Sequence, residues 1–171
     1  WPAQGAAWLV VLDGYHRLAA ALVRQQLTAE PILLITCPST GQPTTAQRLR
    51  QREVLQPLSP SPQLVVLKQG FDTATQITAL AQWLQQQQHP LPKRVWIATD
   101  PDHTARAVLN AQIALGPRGI QVGPPPPPPS PAERRKLLRD ALRLQLWRAT
   151  GSTGAWLAPE LASRKRAACG L

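Results

Sequence analysis

The residues with the clearest potential for chemistry lie in segment 98–107, ATDPDHTARA. Here two aspartates, a histidine and an arginine gather where an apolar run ends and a helix-like segment begins. Histidine has an unperturbed pKa of about 6.5, so His103 could serve as an acid or base near neutral pH. Arg106 follows three residues later, which places both side chains on one face of a helix. The segment is a candidate site, with His103 as its candidate catalytic residue.

Helix capping is the structural alternative for two aspartates. Asp72 and Asp102 each precede a helical pattern, where a carboxylate accepts backbone hydrogen bonds and gains about 0.3–1 kcal/mol from the helix dipole. We expect both to be caps, with His103 as the first helical residue after Asp102. Capping does not explain why Thr99, His103 and Arg106 would share one crevice, so a functional role is favoured for His103 and Arg106.

The chain alternates short apolar runs with longer helix-like segments. The apolar runs are 8–12, 32–36, 64–67, 95–99 and 120–122, and the helix-like segments are 15–27, 45–55, 73–88 and 103–115. The runs lack polar alternation, as is typical of strands buried on both faces. The pattern predicts an α/β fold: a Rossmann-like three-layer sandwich with a mainly parallel sheet of about five strands and helices on both faces.

Polar residues follow four of these predicted strands. Four of the five aspartates and two of the three histidines lie in these loops. Ligands of open parallel sheets bind outside the carboxyl ends of the strands, so we expect a polar crevice there. The candidate ligand-binding residues are Asp13, Gly14, Arg17, Thr36, Cys37, Asp72, Thr73, Thr99, Asp100, His103 and Arg106.

The C-terminal third begins with a proline-rich connection at 123–130, which we expect to be a stiff spacer or a ligand for a proline-recognition domain. Ser130, Pro131 and Glu133 then have the order of an N-cap, a first helical residue and an N3 acid, predicting a closing helix at 131–148. We expect residues 1–150 to form one domain and 151–171 a weakly structured basic tail.

The formal charge of +10 raises the question of nucleic-acid or membrane binding. Outside the six Trp the aromatic residues are one Tyr and one Phe, so we expect no basic-aromatic stacking surface for single strands, and nucleic acid is not favoured. Arg135, Arg139 and Arg143 recur every four residues along the closing helix. This stripe is either a solvated face or a surface for anionic lipid.

Cys37 and Cys169 lie far apart and match no zinc spacing, so we expect reduced thiols and no disulfide framework. Cys37 is either a nucleophile with His103 as base or an inert buried thiol, which is favoured. Asp13, His16, Asp100 and His103 could supply metal ligands, but no spacing singles them out and no metal is predicted. The chain has no GxGxxG, P-loop, HExxH or GxSxG motif.

The loops resemble those of the YdcF-like domain family, a bacterial family of unknown function. The resemblance covers about residues 9–122. The matching residues are Asp13, Gly14 and Arg17 after the first strand, Thr36-Cys37-Pro38 after the second, and Asp72-Thr73. Residues Thr99 to Ala107 match the family's T-S-x-x-H-x-x-R-A pattern except that Asp100 stands in place of serine. Pro38 stands where the family often has glycine, which removes a backbone donor for an anion. The resemblance implies a Rossmann-like domain, a role in cell-envelope biogenesis and a nucleotide-like ligand such as S-adenosylmethionine.

Two functions are therefore expected as alternatives. In the first, the carboxyl edge binds a small anionic or nucleotide-like molecule, whether or not the protein is an enzyme. In the second, the chain is a non-catalytic envelope-associated or adaptor protein that uses its basic C-terminal helix. The expected compartment is the cytoplasm, with membrane association as the alternative if an N-terminal anchor precedes the chain.

Overall fold

The structure is a computed structural model that describes residues 7–12, 32–37, 64–87 and 91–169. Its strands are β1 (Ala7–Leu12), β2 (Ile32–Thr36), β3 (Leu64–Lys68), β4 (Arg94–Ala98) and β5 (Gln121–Gly123). Its α-helices within these ranges are α1 (Thr73–Gln86), α2 (Pro101–Leu115), α3 (Pro131–Thr150) and α4 (Pro159–Ala168). The helices predicted at 15–27 and 45–55 lie outside the described residues.

All five strands form one parallel sheet in the order β3-β2-β1-β4-β5. This confirms the predicted parallel α/β architecture. The chain order reverses between β1 and β4. In such sheets the crevice forms outside the carboxyl ends of the strands at this reversal.

Strands β1 and β2 are buried on both faces of the sheet, apart from the partly buried Ala7 at the start of β1. On one face Val10 and Leu12 belong to the main core, to which α1, α2 and α3 contribute, and these three helices contact one another. On the other face Leu9 and Val11 are equally inaccessible to solvent. Burial on both faces explains why β1 is apolar at every position rather than at alternate positions.

The start of α1 is fixed by a tight turn and a cap. Gly70 has a positive φ of 83°, and a Cβ there would lie 2.7 Å from the backbone nitrogen of Gln76. This turn delivers Asp72 to the N-cap, where its side chain accepts from the Thr75 amide at 3.0 Å. The Thr75 hydroxyl in turn accepts from the Asp72 amide at 3.0 Å, completing a capping box. The predicted cap at Asp72 is confirmed.

The start of α2 differs from the prediction. Its N-cap is Asp100 and the helix begins at Pro101, so Asp102 is an exposed first-turn residue rather than the cap. His103 is therefore the third helical residue, not the first. The physical reason is Pro101, whose fixed φ favours the first helical position.

The C-terminal region contains both a confirmed and a corrected prediction. Helix α3 begins as predicted, with Ser130 as N-cap accepting from the Glu133 amide at 3.3 Å and Pro131 at the first position. The tail expected to be weakly structured instead carries α4. The residues between β5 and α3 form neither helix nor strand, and the Gly123–Pro124 peptide is cis. No helix in the described ranges is long and apolar enough to cross a membrane.

Candidate functional site

A cleft of about 320 Å³ opens at the carboxyl edge of the sheet. The sequence predicted five of its lining residues: Asp72, Thr73, Thr99, His103 and Arg106. It missed five others: Leu12, Gln76, Lys136, Arg139 and Lys165. The start of α1, the start of α2, one side of α3 and the C-terminal α4 therefore meet at this edge.

The other predicted site residues lie elsewhere or are not described. Thr36 is buried, and its hydroxyl donates to the Cys37 carbonyl at 3.4 Å. Asp100 caps α2 through its carbonyl, which accepts from the His103 amide at 2.9 Å and the Thr104 hydroxyl at 3.1 Å. Neither Thr36 nor Asp100 is among the residues that line the cleft. Asp13, Gly14 and Arg17 lie outside the described residues.

Cys37 and Cys169 form a disulfide, with their Cα atoms 5.1 Å apart. The expectation of reduced thiols is therefore wrong, and Cys37 has no free thiol to act as a nucleophile or a ligand. The bond joins the end of β2 to the end of α4. It crosses 132 residues of sequence, a separation at which spacing alone gives no signal of pairing.

Two buried acids from α3 face Arg106. Glu133 and Asp140 are 6% and 1% exposed. Arg106 Nε lies 3.2 Å from Glu133 Oε2, and its Nη1 lies 3.9 Å from Asp140 Oδ2. On their outer sides, Lys136 Nζ lies 2.9 Å from Glu133 Oε1 and Arg139 Nη2 lies 2.8 Å from Asp140 Oδ1. Each acid is thus shared between an inner and an outer cation.

Asp72 links three helices. Beyond capping α1, its Oδ2 lies 2.7 Å from Arg143 Nη1 on α3 and 3.4 Å from Lys165 Nζ on α4. Burial raises the pKa of Asp72, but the hydrogen bond and charge of Arg143 and the bonds from Thr75 outweigh it, so the pKa lies below its ordinary value of 3.8. Asp72 therefore stays ionised and keeps both cations close to the cleft.

His103 lies beside Glu133. Its Nδ1 is 3.6 Å from Glu133 Oε2 and is buried, whereas 39% of the side chain is exposed. The exposed part of the ring therefore lies away from Nδ1. Burial opposes ionisation of Glu133, but the hydrogen bond from Lys136 and the charges of Arg106, Lys136 and His103 outweigh it, so the pKa of Glu133 is lowered. A carboxylate thus faces one side of the imidazole, leaving the other side accessible.

Positive charge exceeds negative charge in this network. Among the described residues, its acids are Asp72, Glu133 and Asp140, and its arginines and lysines are Arg106, Lys136, Arg139, Arg143 and Lys165. Two positive charges are left over even when His103 is neutral. Such an arrangement attracts an anion, and arginine and lysine are the residues that hold phosphate and carboxylate groups.

Comparison of the chain with protein-family models, curated proteins and solved structures finds no match. The geometry of the site is therefore the basis for proposing a function.

Metal-ligating side chains do not cluster in the described part of the chain, where no group of three or more His, Cys, Asp or Glu residues could hold an ion. Asp13 and His16, which the sequence offered as ligands with Asp100 and His103, lie outside it. Among the described residues that line the cleft, the acid is Asp72, which is paired with Arg143 and Lys165. Its chemistry is that of a cationic site.

Proposed function

We propose that the cleft binds a small anionic ligand whose charged group is a phosphate, with nucleotide-like molecules among the candidates. The observation that carries this proposal is the excess of two positive charges around a cleft at the reversal point of the sheet. The first turns of α1 and α2 contribute Thr73 and His103 to the same cleft. Helix N-termini favour anions, so the backbone adds to the side-chain charge.

The proposal divides the cations into two roles. Arg106 is 12% exposed and is occupied by two buried acids, so it positions the walls of the site. Lys136 and Arg139 are 48% and 45% exposed and reach the ligand from α3. Thr73 and Thr99 supply hydroxyl donors. If the ligand is also turned over, His103 is the acid or base, with Glu133 facing its Nδ1.

S-adenosylmethionine fits the cleft poorly. Its sulfonium and ammonium groups give it a net positive charge, and Asp72, the one acid among the described lining residues, is already paired with Arg143 and Lys165. A phosphate-bearing nucleotide suits the same residues better, because its charge has the opposite sign.

Membership of the YdcF-like family and a role in cell-envelope biogenesis are part of the proposal. The pattern of Thr99, His103 and Arg106 supports them, since all three residues line one cleft. The Cys37–Cys169 disulfide also bears on the compartment, because disulfides persist in oxidising surroundings. We therefore propose an oxidising compartment in place of the cytoplasm expected from the sequence. Thiol labelling of the protein in intact cells tests this point.

A thermal-shift screen tests the binding proposal. Inorganic phosphate, nucleotides, sugar phosphates and S-adenosylmethionine are compared on wild type and on Lys136→Ala/Arg139→Ala. The control, Arg135→Ala/Arg148→Ala, removes two exposed charges from the same helix outside the cleft. A ligand at a hundredfold excess over its Kd stabilises by about 2.7 kcal/mol, and we expect this shift in wild type and control but not in the cleft variant. Equal shifts in all three proteins, or none in wild type, would refute the proposal.

A second candidate function is contact with an anionic membrane surface. Leu138 and Leu142 are 65% and 64% exposed and lie one turn apart on α3, next to the exposed Arg135 and Arg139. A helix face that mixes leucine with arginine is typical of interfacial binding. Vesicle co-sedimentation tests it: anionic vesicles should retain wild type and release Leu138→Ser/Leu142→Ser. Equal retention of both proteins, or none of wild type, would remove this candidate.

A further inference from the structure

An apolar pocket of about 190 Å³ adjoins the cationic cleft. The two share Asp72, Arg139 and Lys165, which therefore form the boundary between them. Beyond this boundary Arg143 also lines the pocket, and the other lining residues carry apolar groups: Phe71, Gly154, Ala155, Leu157, Ala158, Leu161 and Ala162.

The walls of the pocket leave large apolar side chains open to solvent. Leu157 is 66% exposed and Leu161 is 50% exposed. The guanidinium of Arg166 lies 5.7 Å from the centre of the Phe71 ring. Exposed apolar groups concentrated in a pocket that continues a charged cleft indicate a place for the apolar part of a ligand.

We infer that the ligand is an amphiphilic phosphate, with its phosphate in the cationic cleft and an aliphatic chain in the adjoining pocket. This inference rests on the proposed anion binding and narrows its ligand class. A nucleobase would lose hydrogen bonds to water in such a pocket, and burying unpaired polar groups is costly. An aliphatic chain has no polar groups to lose, and each buried methylene adds affinity.

Isothermal titration with inorganic phosphate and with ethyl, butyl, hexyl and octyl phosphate tests the inference. We expect affinity to rise with chain length, by up to about fourfold per buried methylene, and to level off once the pocket is filled. Phosphate binding with no dependence on chain length would overturn the inference and leave the proposed function standing. Binding of none of these compounds would overturn both.

Matched variants test where the aliphatic chain of the ligand binds. Leu157→Ser/Leu161→Ser removes exposed leucines from the pocket, and Leu91→Ser removes an exposed leucine outside it, before β4. The first variant should lose the dependence on chain length while keeping its affinity for inorganic phosphate, and the second should behave as wild type. If affinity in the first variant still rises with alkyl chain length as in wild type, the alkyl chain binds elsewhere and the inference is overturned.

A free alkyl phosphate and a membrane lipid can both combine a phosphate with an aliphatic chain. Co-sedimentation with phosphatidate vesicles separates the two sources. Loss of vesicle binding in Leu157→Ser/Leu161→Ser supports a lipid as the natural source. Binding of the soluble series without binding of vesicles supports a free alkyl phosphate.

Discussion

Asp72 shows how one residue can serve the fold and the site together. Its carboxylate caps α1 and also pairs with Arg143 and Lys165 from two other helices. The sequence predicted the cap because an aspartate before a helical run is a local signal. It gave no sign of the two cations, which are 71 and 93 residues away.

The lowered pKa of Asp72 predicts a loss of stability in acid. A group whose pKa is lower in the folded state contributes stability above its unfolded pKa, and this contribution is lost as pH falls through the folded pKa. The free energy of unfolding of wild type should therefore fall as pH drops below about 4. Asp72→Asn keeps a capping side chain but loses the charge, so it should be roughly 1–3 kcal/mol less stable at neutral pH and less sensitive to acid.

Urea denaturation from about pH 7 to about pH 2 measures this effect. The matched control is Asp102→Asn, because Asp102 is an exposed acid in the first turn of α2. Its acid sensitivity should match that of wild type. The same acid sensitivity in Asp72→Asn and wild type would contradict the account.

Asn110 is a buried amide on α2 whose two polar atoms have no hydrogen-bond partner among the described residues. A buried unsatisfied polar group costs about 1–3 kcal/mol. Leucine has the same branching and number of heavy atoms, so Asn110→Leu should raise the melting temperature in differential scanning calorimetry. A lower melting temperature would show that the amide is satisfied or that the added volume does not fit.

At the scale of elements, α3 has features that the sequence predicts and others that it does not. Its buried residues are Glu133, Asp140, Leu144 and Trp147, so one face is acidic near the cleft and apolar further along. When the arginine partner of a buried acid lies far away along the chain, the sequence does not distinguish that acid from a solvent-exposed one. The start of α3 was predictable from Ser130 and Pro131, because capping is local. Its buried acids were not, because their partner Arg106 lies on another helix.

The strands were the most predictable elements. In β1 and β2 the uninterrupted apolar runs reflect burial on both faces. Five of the residues that the sequence proposed for the carboxyl edge of the sheet line the cleft there. The sequence missed Lys136, Arg139 and Lys165 because their role depends on how α3 and α4 pack across that edge.

We expect helix α4 to depend on its disulfide. The Cys37–Cys169 bond, the Lys165–Asp72 ion pair and the contact of Arg166 with the Phe71 ring join it to other parts of the chain. A disulfide across 132 residues stabilises by up to about 5 kcal/mol in the chain-entropy view. Reduction should therefore lower the melting temperature and speed amide exchange in α4 more than in α2.

Hydrogen exchange with and without reductant measures this dependence. Cys37→Ser/Cys169→Ser should reproduce the effect of the reductant, and adding reductant to this variant should change nothing further. Unchanged exchange in α4 after reduction of wild type would show that other contacts hold the helix.

At the scale of the whole molecule, part of the positive charge behind the net +10 lies at the cleft. The sequence suggested a solvated stripe or a lipid surface on the closing helix. In the structure Arg143 from that stripe is only 16% exposed and binds Asp72, whereas Lys136 and Arg139 line the cleft. Part of the basic C-terminal region thus belongs to the same edge of the sheet as the predicted site.

The most direct test of the central claim is a nuclear magnetic resonance titration with pyrophosphate, followed at backbone amides. The account predicts shifts centred on Thr73, Thr99 and His103 that weaken with added salt and are lost in Lys136→Ala/Arg139→Ala. Small shifts spread over the basic surface, unchanged in that variant, would contradict a defined anion site in this cleft.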